Sequence, residues 1–304
     1  MVDRIWTGAL AAALALALAA PAGADMRDRL LADSYNGLGT WIDIFDDSAW
    51  ADPEAAVRRA YRNDVTILFL QSASSRPGPP VFRPRRTARF LRGAHAREMR
   101  VIAWYLAPYA DRAYETRRAL GAINFEARNG QRFDGFALDI ETGIGSPASA
   151  AIRNQRLLKM SKRLREEVGT LYPLGAITPS PVGLDMPHGR RWWPDFPWRA
   201  LYRIYDAFLP MGYYTYHETT ASGAYWETRR NIRLLRGATG DPGVPIHLVG
   251  GAALNSSAAE GRAFARAANR KGVIGASMYD QLTMGAEDWS AVRAIQFEEA
   301  QLPR

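Results

Sequence analysis

Asp139 and Glu141 are the residues of this chain best placed to do chemistry. They stand two apart in Phe133-Asp134-Gly135-Phe136-Ala137-Leu138-Asp139-Ile140-Glu141-Thr142, an otherwise apolar, strand-like run. Side chains at i and i+2 of a strand leave the same face, so both carboxyl groups project to one side and Phe136, Leu138 and Ile140 to the other. Two neighbouring carboxyls can divide the work of proton donor and charge stabiliser. Burying them at the end of an apolar strand is costly unless they are paired or used. A salt-bridged pair at a strand edge is the plain alternative.

The segment resembles the fourth-strand signature of family 18 glycoside hydrolases, the chitinases and their relatives, written Asp-Gly-x-Asp-x-Asp-x-Glu. Asp134, Gly135, Asp139 and Glu141 match it; Ala137 stands where that family has its middle aspartate, and Ile140 where it commonly has tryptophan. The resemblance implies Glu141 as general acid and Asp139 as the group that orients a substrate acetamido group. Ala137 removes one member of the family's carboxylate relay. A second stretch, Phe208-Leu209-Pro210-Met211-Gly212-Tyr213-Tyr214, is similar to the sixth-strand Met-x-Tyr-Asp of the same family. Met211 and Tyr213 match and Tyr214 replaces the aspartate; the resemblance implies that Tyr213 hydrogen-bonds the reacting group. A buried aromatic strand is the other reading of this stretch. A looser likeness holds to family 25 lysozymes, whose fourth strand also ends in Asp-x-Glu.

These residues need elements to hold them. Short β-rich runs recur at Gly39–Phe45, Asp64–Leu70, Arg100–Leu106, Phe133–Ile140, Leu174–Thr178, Ala207–Gly212, Pro245–Val249 and Val273–Met278. Amphipathic helical patterns lie between and after them at Pro53–Arg62, Pro84–Glu98, Asp111–Arg128, Pro147–Leu171, Trp198–Tyr205, Tyr225–Arg236, Ser257–Lys271 and Asp288–Ala300. Asp52-Pro53 and Ser146-Pro147 read as capping residues before a proline at the first helical position. Eight βα repeats predict a single-domain α/β fold, the (β/α)8 TIM barrel, over residues 25–304. Ser72–Pro84 and Pro179–Pro197 read as long loops on the face where such barrels keep their sites. That face gathers Asp43 and Asp46 from the first strand, Gln71 from the second, Trp104 and Tyr105 from the third, and Asp139 and Glu141 from the fourth. Thr178 and Ser180 follow from the fifth, Met211, Tyr213 and Tyr214 from the sixth, and Tyr279 and Asp280 from the eighth. Trp192-Trp193 in the fifth loop is either an anchor packed on the barrel or a sugar platform.

Residues 1–24 read as an export signal: Arg4, an Ala/Leu stretch from Ala9 to Ala20, and Ala22-Gly23-Ala24 as cleavage site before Asp25. The expected location is secreted or periplasmic, with an uncleaved anchor as the alternative. No cysteine is present, which excludes disulfides, thiol catalysis and iron–sulfur ligation. The net charge of +8 comes from 39 basic residues of which only Lys159, Lys162 and Lys271 are lysines, so 36 are arginines. They are scattered over helical segments rather than drawn into a stripe, which argues for a solvated surface and against a nucleic-acid partner. His95, His188, His217 and His247 show no metal-binding spacing, and neither a nucleophile-elbow nor a dinucleotide motif occurs. The seventh strand, Ile246-His247-Leu248-Val249-Gly250, lacks the glutamate of two-glutamate retaining glycosidases.

The expectation is therefore a secreted glycoside hydrolase acting on a polysaccharide, one containing N-acetylhexosamine by the resemblance, with no metal and no cofactor. Its partners are a carbohydrate substrate, no nucleic acid and no stable membrane anchor after signal cleavage, with the protein a monomer. If a separate base activates water, Asp43 or Asp280 is the candidate; a carboxyl separation of about 6.5–9.5 Å from Glu141 fits inversion and about 5–5.5 Å a direct nucleophile. A non-catalytic carbohydrate-binding barrel, silenced at Ala137, is the alternative. A lyase or aldolase would need a Schiff-base lysine or a metal site, and the three lysines all fall in helical segments.

Overall fold

The strands are mainly apolar on both sides, one facing a helix and the other the axis of a closed sheet. The computed structural model describes residues 31–73, 78–143 and 145–297. Eight parallel strands, β1 (Gly37–Ile42), β2 (Ile67–Gln71), β3 (Arg100–Leu106), β4 (Gly135–Asp139), β5 (Leu174–Pro179), β6 (Ala207–Met211), β7 (His247–Ala252) and β8 (Gly275–Tyr279), pair in sequence order. The ring closes where Gly37 and Leu38 of β1 pair with Gly275 and Ala276 of β8. This is the expected single-domain (β/α)8 barrel. The proposed leader, residues 1–24, lies outside the described residues.

Two apolar clusters follow from the period of two along each strand. Leu68, Leu70, Val101, Ala103, Phe136, Leu138, Phe208 and Leu248 join the helix-facing cluster. Ile67, Phe69, Ile102, Trp104, Ala137, Ile177, Leu209 and Val249 fill the barrel with Tyr35 and Trp41. A polar chain runs through that interior. His247 Nδ1 lies 2.9 Å from the Tyr35 carbonyl, which can only accept, so Nδ1 carries the proton and Nε2 accepts from Ser277 Oγ at 3.1 Å. Trp41 Nε1 donates to the same Ser277 oxygen at 2.8 Å. Glycine is required beside this chain: a Cβ on Gly275 would lie 2.1 Å from His247 Nδ1, and one on Gly39 2.6 Å from the Phe69 ring.

Some boundaries differ from the expectation for local reasons. β1 ends at Ile42 rather than Phe45 because Asp43 Oδ1 accepts from the amides of Phe45 and Asp46 and turns the chain out of the sheet. The helix expected from Pro147 begins at Ala150, capped by Ser149, and Arg153 takes the carbonyls of Pro147 and Ala148 that a longer helix would use. The helix expected over Tyr225–Arg236 runs from Ala221 to Thr239, started by the Thr220 cap and stopped by left-handed Gly240. The fifth loop is not irregular but holds helices Pro181–Asp185 and Pro187–Trp192.

His247 sets a measurable pH dependence. Burial lowers its pKa to about 4, against about 6.5 in an unfolded chain. The unfolded state therefore binds the extra proton first, and stability present above pH 6.5 is lost as pH falls toward 4. The loss from this group is about 3 kcal/mol. Urea unfolding at pH 7 and pH 4.5 should show it, with a shallower pH dependence in His247→Gln, and NMR should find the His247 ring neutral at pH 5.

Candidate active site

β4 delivers its two acids where the sequence pattern puts them. Phe136, Leu138 and Ile140 lie in the helix-facing cluster while Ala137 faces the axis, so Asp139 and Glu141 leave the strand toward the barrel mouth. Asp139 is 5 % exposed and its Oδ1 has no hydrogen-bond partner. Burial, and then the charge of Glu141, hold the Asp139 carboxyl well above the usual carboxylate range; burial raises Glu141 too. Among the described residues neither carboxylate makes an ion pair, so the salt-bridged alternative for this pair is not what the structure shows. Two adjacent carboxyls, one buried and one partly buried, without an ion-pair partner resist double ionisation and retain a proton to higher pH than either alone.

Tyr213 reaches the same place by an unusual backbone. Its φ of 40° is in the left-handed region, which costs a non-glycine residue about 1–2 kcal/mol. Hydrogen bonds from the Gly212 and Tyr213 amides to the Val249 and Gly250 carbonyls, both 2.8 Å, hold the turn. The Tyr213 hydroxyl has its pKa raised by burial and then by the charges of Asp139 and Glu141, with Tyr216 and Asp280 adding to them. Its ring meets Tyr216 edge-on at 5.6 Å and Tyr279 at 6.3 Å. Across the mouth, Tyr279 donates to Asp43 Oδ2 at 2.7 Å, while Asp43 Oδ1 is held by loop amides. Below them Trp41 stacks on Phe69 at 4.2 Å and meets Trp104 edge-on at 5.9 Å. The Trp104 Nε1 is buried without a partner.

Several expected bowl residues are placed elsewhere. Tyr105 alternates with Trp104 and faces the helix layer, where burial and then Glu115 raise its hydroxyl. Tyr214 is also turned outward: its ring packs at 5.9 Å from Phe264 and its hydroxyl pairs with Ser256. Asp46 is 3 % exposed and spent as a helix cap, accepting from Ala49 N and Ser48 Oγ. Thr178 alternates with axis-facing Ile177 and is buried away from the mouth. Gln71 faces inward but ties two loops together, accepting from Ile44 N at 3.0 Å and donating to the Ala73 carbonyl. Asp280 caps a turn through Thr283, and its charge still reaches Tyr213 and Tyr279.

A groove of about 460 Å³ opens beside the acid pair, between the loops after β5 and β6. Glu141, Met211 and Tyr213 line it with Leu184, Met186, His188, Trp192, Tyr216 and His217. Of these, Leu184, Met186, His188, Tyr216 and His217 were not singled out as site residues from the sequence, because nothing in their local spacing marks a wall shared by two loops. The Trp192-Trp193 alternatives divide between the two residues. Trp193 is 1 % exposed, donates to Asn154 Oδ1 at 2.7 Å and carries the Arg153 guanidinium on its face, which makes it the anchor. Trp192 lines the groove. Among the described residues no group of three or more His, Asp or Glu could hold a metal ion, and no helix is long and apolar enough to cross a membrane.

The sequence matches no family model and no curated protein. Its fold is similar to several solved structures. One is the spore cortex-lytic enzyme SleL of Bacillus cereus, with TM-score 0.64 and 9 % identity over 87 % of this chain and 75 % of that one. A chitinase of Chromobacterium violaceum gives TM-score 0.54 and 12 % identity over 85 % and 98 %. An endo-β-1,4-mannanase of Thermotoga petrophila gives 0.61 and 12 % over 81 % and 68 %. At these identities the likeness is one of fold: the chain has the barrel that these carbohydrate-active enzymes use. The looser likeness to family 25 lysozymes gains no support from them.

An unpaired buried carboxyl is a burden on the fold. Asp139→Asn keeps the shape and removes the charge, so it should raise stability by about 0.5–2 kcal/mol at pH 8. The gain should shrink as pH falls, because a folded-state pKa raised above the unfolded value destabilises only where the group must ionise. Urea midpoints of the two proteins at pH 5 and pH 8 check both statements.

Proposed function

We propose that this protein is an exported glycoside hydrolase acting on a polysaccharide that contains N-acetylhexosamine. The observation that carries the reading is the β4 pair: two adjacent carboxyls at the barrel mouth, raised by burial, without an ion-pair partner among the described residues and beside a tyrosine hydroxyl in their field. Structural ion pairs also perturb carboxyl pKa values, but among the described residues no cation pairs with either acid to account for the placement. A carboxyl that keeps its proton near neutral pH can protonate a departing glycosidic oxygen, and Glu141, the more open of the two and the one lining the groove, takes that role. Asp139, deeper and the more strongly raised of the two, holds the shared proton at rest; passing it to Glu141 leaves Asp139 as the carboxylate that stabilises the positive anomeric centre or orients an acetamido oxygen that attacks it. Tyr213 donates its hydroxyl to the same group as charge develops. Asp43 holds Tyr279 against the opposite side of the sugar.

One observation favours the second reading, a non-catalytic carbohydrate-binding barrel. Ala137 is fully buried on the axis side of β4, directly below Asp139, and offers no third carboxyl to the pair.

Turnover of chitin and peptidoglycan oligosaccharides separates the two readings. Glu141→Gln should abolish hydrolysis, with a loss of about 10²–10⁴-fold, and leave oligosaccharide binding by calorimetry near wild type. Binding without turnover by the wild type would establish the binding barrel instead.

Tyr213→Phe removes one hydroxyl and little volume. If that hydroxyl bonds a developing charge, a hydrogen bond of about 1.5–3 kcal/mol is lost, and kcat should fall roughly ten- to a hundred-fold with KM little changed. An unaltered kcat would take β6 out of the mechanism.

A further inference from the structure

The helix layer carries a charged surface that the proposed chemistry leaves unused. The helices Ala221–Thr239 and Ala258–Lys271 pack side by side. Together they bear eight basic residues and two acids. Both acids are spent inside: buried Glu227 pairs with His217, and buried Glu260 closes the capping box on Ser257. Along the chain the arginines are scattered, but folding sets these two groups next to each other, so the expectation of a surface without a basic stripe does not hold on this flank. Arg262, Arg266 and Arg270 stand four apart and are all exposed, one row of charge with steps of about 6 Å. Arg229 and Arg233 repeat that spacing on the neighbouring helix. Like charges at this spacing destabilise a helix. Among the described residues Arg233, Arg262, Arg266 and Arg270 have no ion-pair or hydrogen-bond partner, whereas Arg230 is tied to Asp185 and Arg236 to the Gly272 carbonyl.

Aromatic rings stand among these charges. Trp226 is 58 % exposed and meets Tyr225 edge-on at 5.2 Å. The Arg229 guanidinium lies over both rings, 4.8 Å from Trp226 and 5.5 Å from Tyr225, and donates to the Tyr225 hydroxyl at 3.4 Å. It thereby pins the rings in place. An open groove of about 680 Å³ is lined by Tyr225, Arg266, Asn269 and Arg270 with Ala221 and Ser222. Asn269 is occupied by the Ala294 carbonyl and the Gln296 amide, which leaves the two guanidinium groups as the unpartnered polar groups at that end. Glu218 reaches the first turn of the helix Ala221–Thr239, beside Gly223. None of these groove residues lines the groove beside Glu141. Guanidinium forks take carboxylates two bonds at a time, and aromatic faces take flat rings. A concave groove suits a chain, whereas a bilayer surface is met by protruding apolar side chains.

We propose that this flank is a binding site for an acidic polysaccharide, a uronate polymer, separate from the barrel mouth. Its sugar rings lie on Tyr225 and Trp226, and its carboxylates pair with Arg266 and Arg270. Arg229 acts as the positioning residue for the two rings, and Arg233 and Arg262 extend the positive field along the chain. The choice of a glycan among polyanions rests on the proposed function; the charge and the ring geometry stand without it. A protein held this way on an acidic matrix keeps its mouth available for a different, neutral chain.

Binding is measured by calorimetry on the full chain with a polygalacturonate oligomer, the same oligomer with its carboxyls methyl-esterified, and a single-stranded oligonucleotide of equal charge. The acidic oligomer should bind about tenfold or more tightly than its ester, which keeps the rings and loses the charge. Arg266→Gln/Arg270→Gln should weaken the acidic oligomer about tenfold, since each exposed pair contributes little alone. Trp226→Ala should weaken it about fivefold through the lost ring face. Hydrolysis of an N-acetylglucosamine tetrasaccharide should be unchanged in both variants. Equal affinity for the acidic and esterified oligomers, or unchanged affinity in either variant, overturns the proposal. Tighter binding of the oligonucleotide makes a nucleic acid the occupant and overturns it as well. A protein that hydrolyses the tetrasaccharide but does not bind the acidic oligomer refutes this site and leaves the glycosidase reading standing. The expected binding pattern in a wild type that hydrolyses no glycan upholds the site and overturns the glycosidase reading alone.

Discussion

Two neighbouring carboxyl groups, Asp139 buried and Glu141 partly so, with no ion-pair partner among the described residues, are the constraint on which the rest of this structure turns. Alone, Asp139 and Glu141 would relax apart or draw in an arginine, and the chain has arginine in abundance. They do neither because β4 is locked between β3 and β5 and its opposite side is buried under the helix layer. The strand cannot rotate without carrying Phe136 and Leu138 into the barrel and both acids into the hydrophobic shell. The cohesion of the apolar clusters thus sustains an arrangement that electrostatics disfavours.

The rest of the mouth is rigidified in the same spirit. Trp41 is held from below by the Ser277–His247–Tyr35 chain, which depends on glycine at 39 and 275 to fit inside the barrel. Asp43, fixed by loop amides, in turn fixes Tyr279. Tyr213 is kept in a left-handed turn by two amide bonds to β7. Trp41, Tyr279 and the Tyr213 turn are thus each positioned by hydrogen bonds to neighbours that are themselves bonded, which is what precise chemistry requires of its support. Local strain of this kind concentrates where a site needs it.

Ala137 gives this mouth its particular character. Around this small residue, Asp139 Oδ1 and the indole N–H of Trp104, the residue paired with Ala137 across the sheet, both lack a hydrogen-bond partner among the described residues. The pair on β4 therefore depends on burial and on each other, rather than on a chain of acids, for its elevated affinity for protons. That dependence links proton affinity to how dry the mouth is kept, and so to the groove wall built by the β5 and β6 loops.

How much of this could be read from the sequence differs by level. The eight repeats, the closed barrel and the facing of Asp139 and Glu141 were legible because hydrophobic period is a local property that each strand carries in its own residues. Boundaries slipped where a side chain outbid the pattern, as Asp43 did at the end of β1 and Ser149 at the start of its helix. The bowl was legible only in part. Period placed Asp139, but Tyr105 stands one residue beyond axis-facing Trp104, and a one-residue step in a strand reverses the face; Tyr214 lies past the end of β6, where the left-handed turn at Tyr213 directs it outward. Asp46 and Gln71 have the right chemistry and address, yet spend it on backbone amides that no sequence pattern displays. The groove was legible only at Glu141, Ser180, Trp192, Met211 and Tyr213, and not as one wall. Glu141, Met186, Trp192 and His217 come from loops far apart in the chain, and Glu227 finds His217 only because a helix packs back against the loop that precedes it. Residue types and their period determined the barrel and the acid pair; which side chains share a wall, and which acid is left unpaired, was decided by closure of the barrel and by how its loops pack.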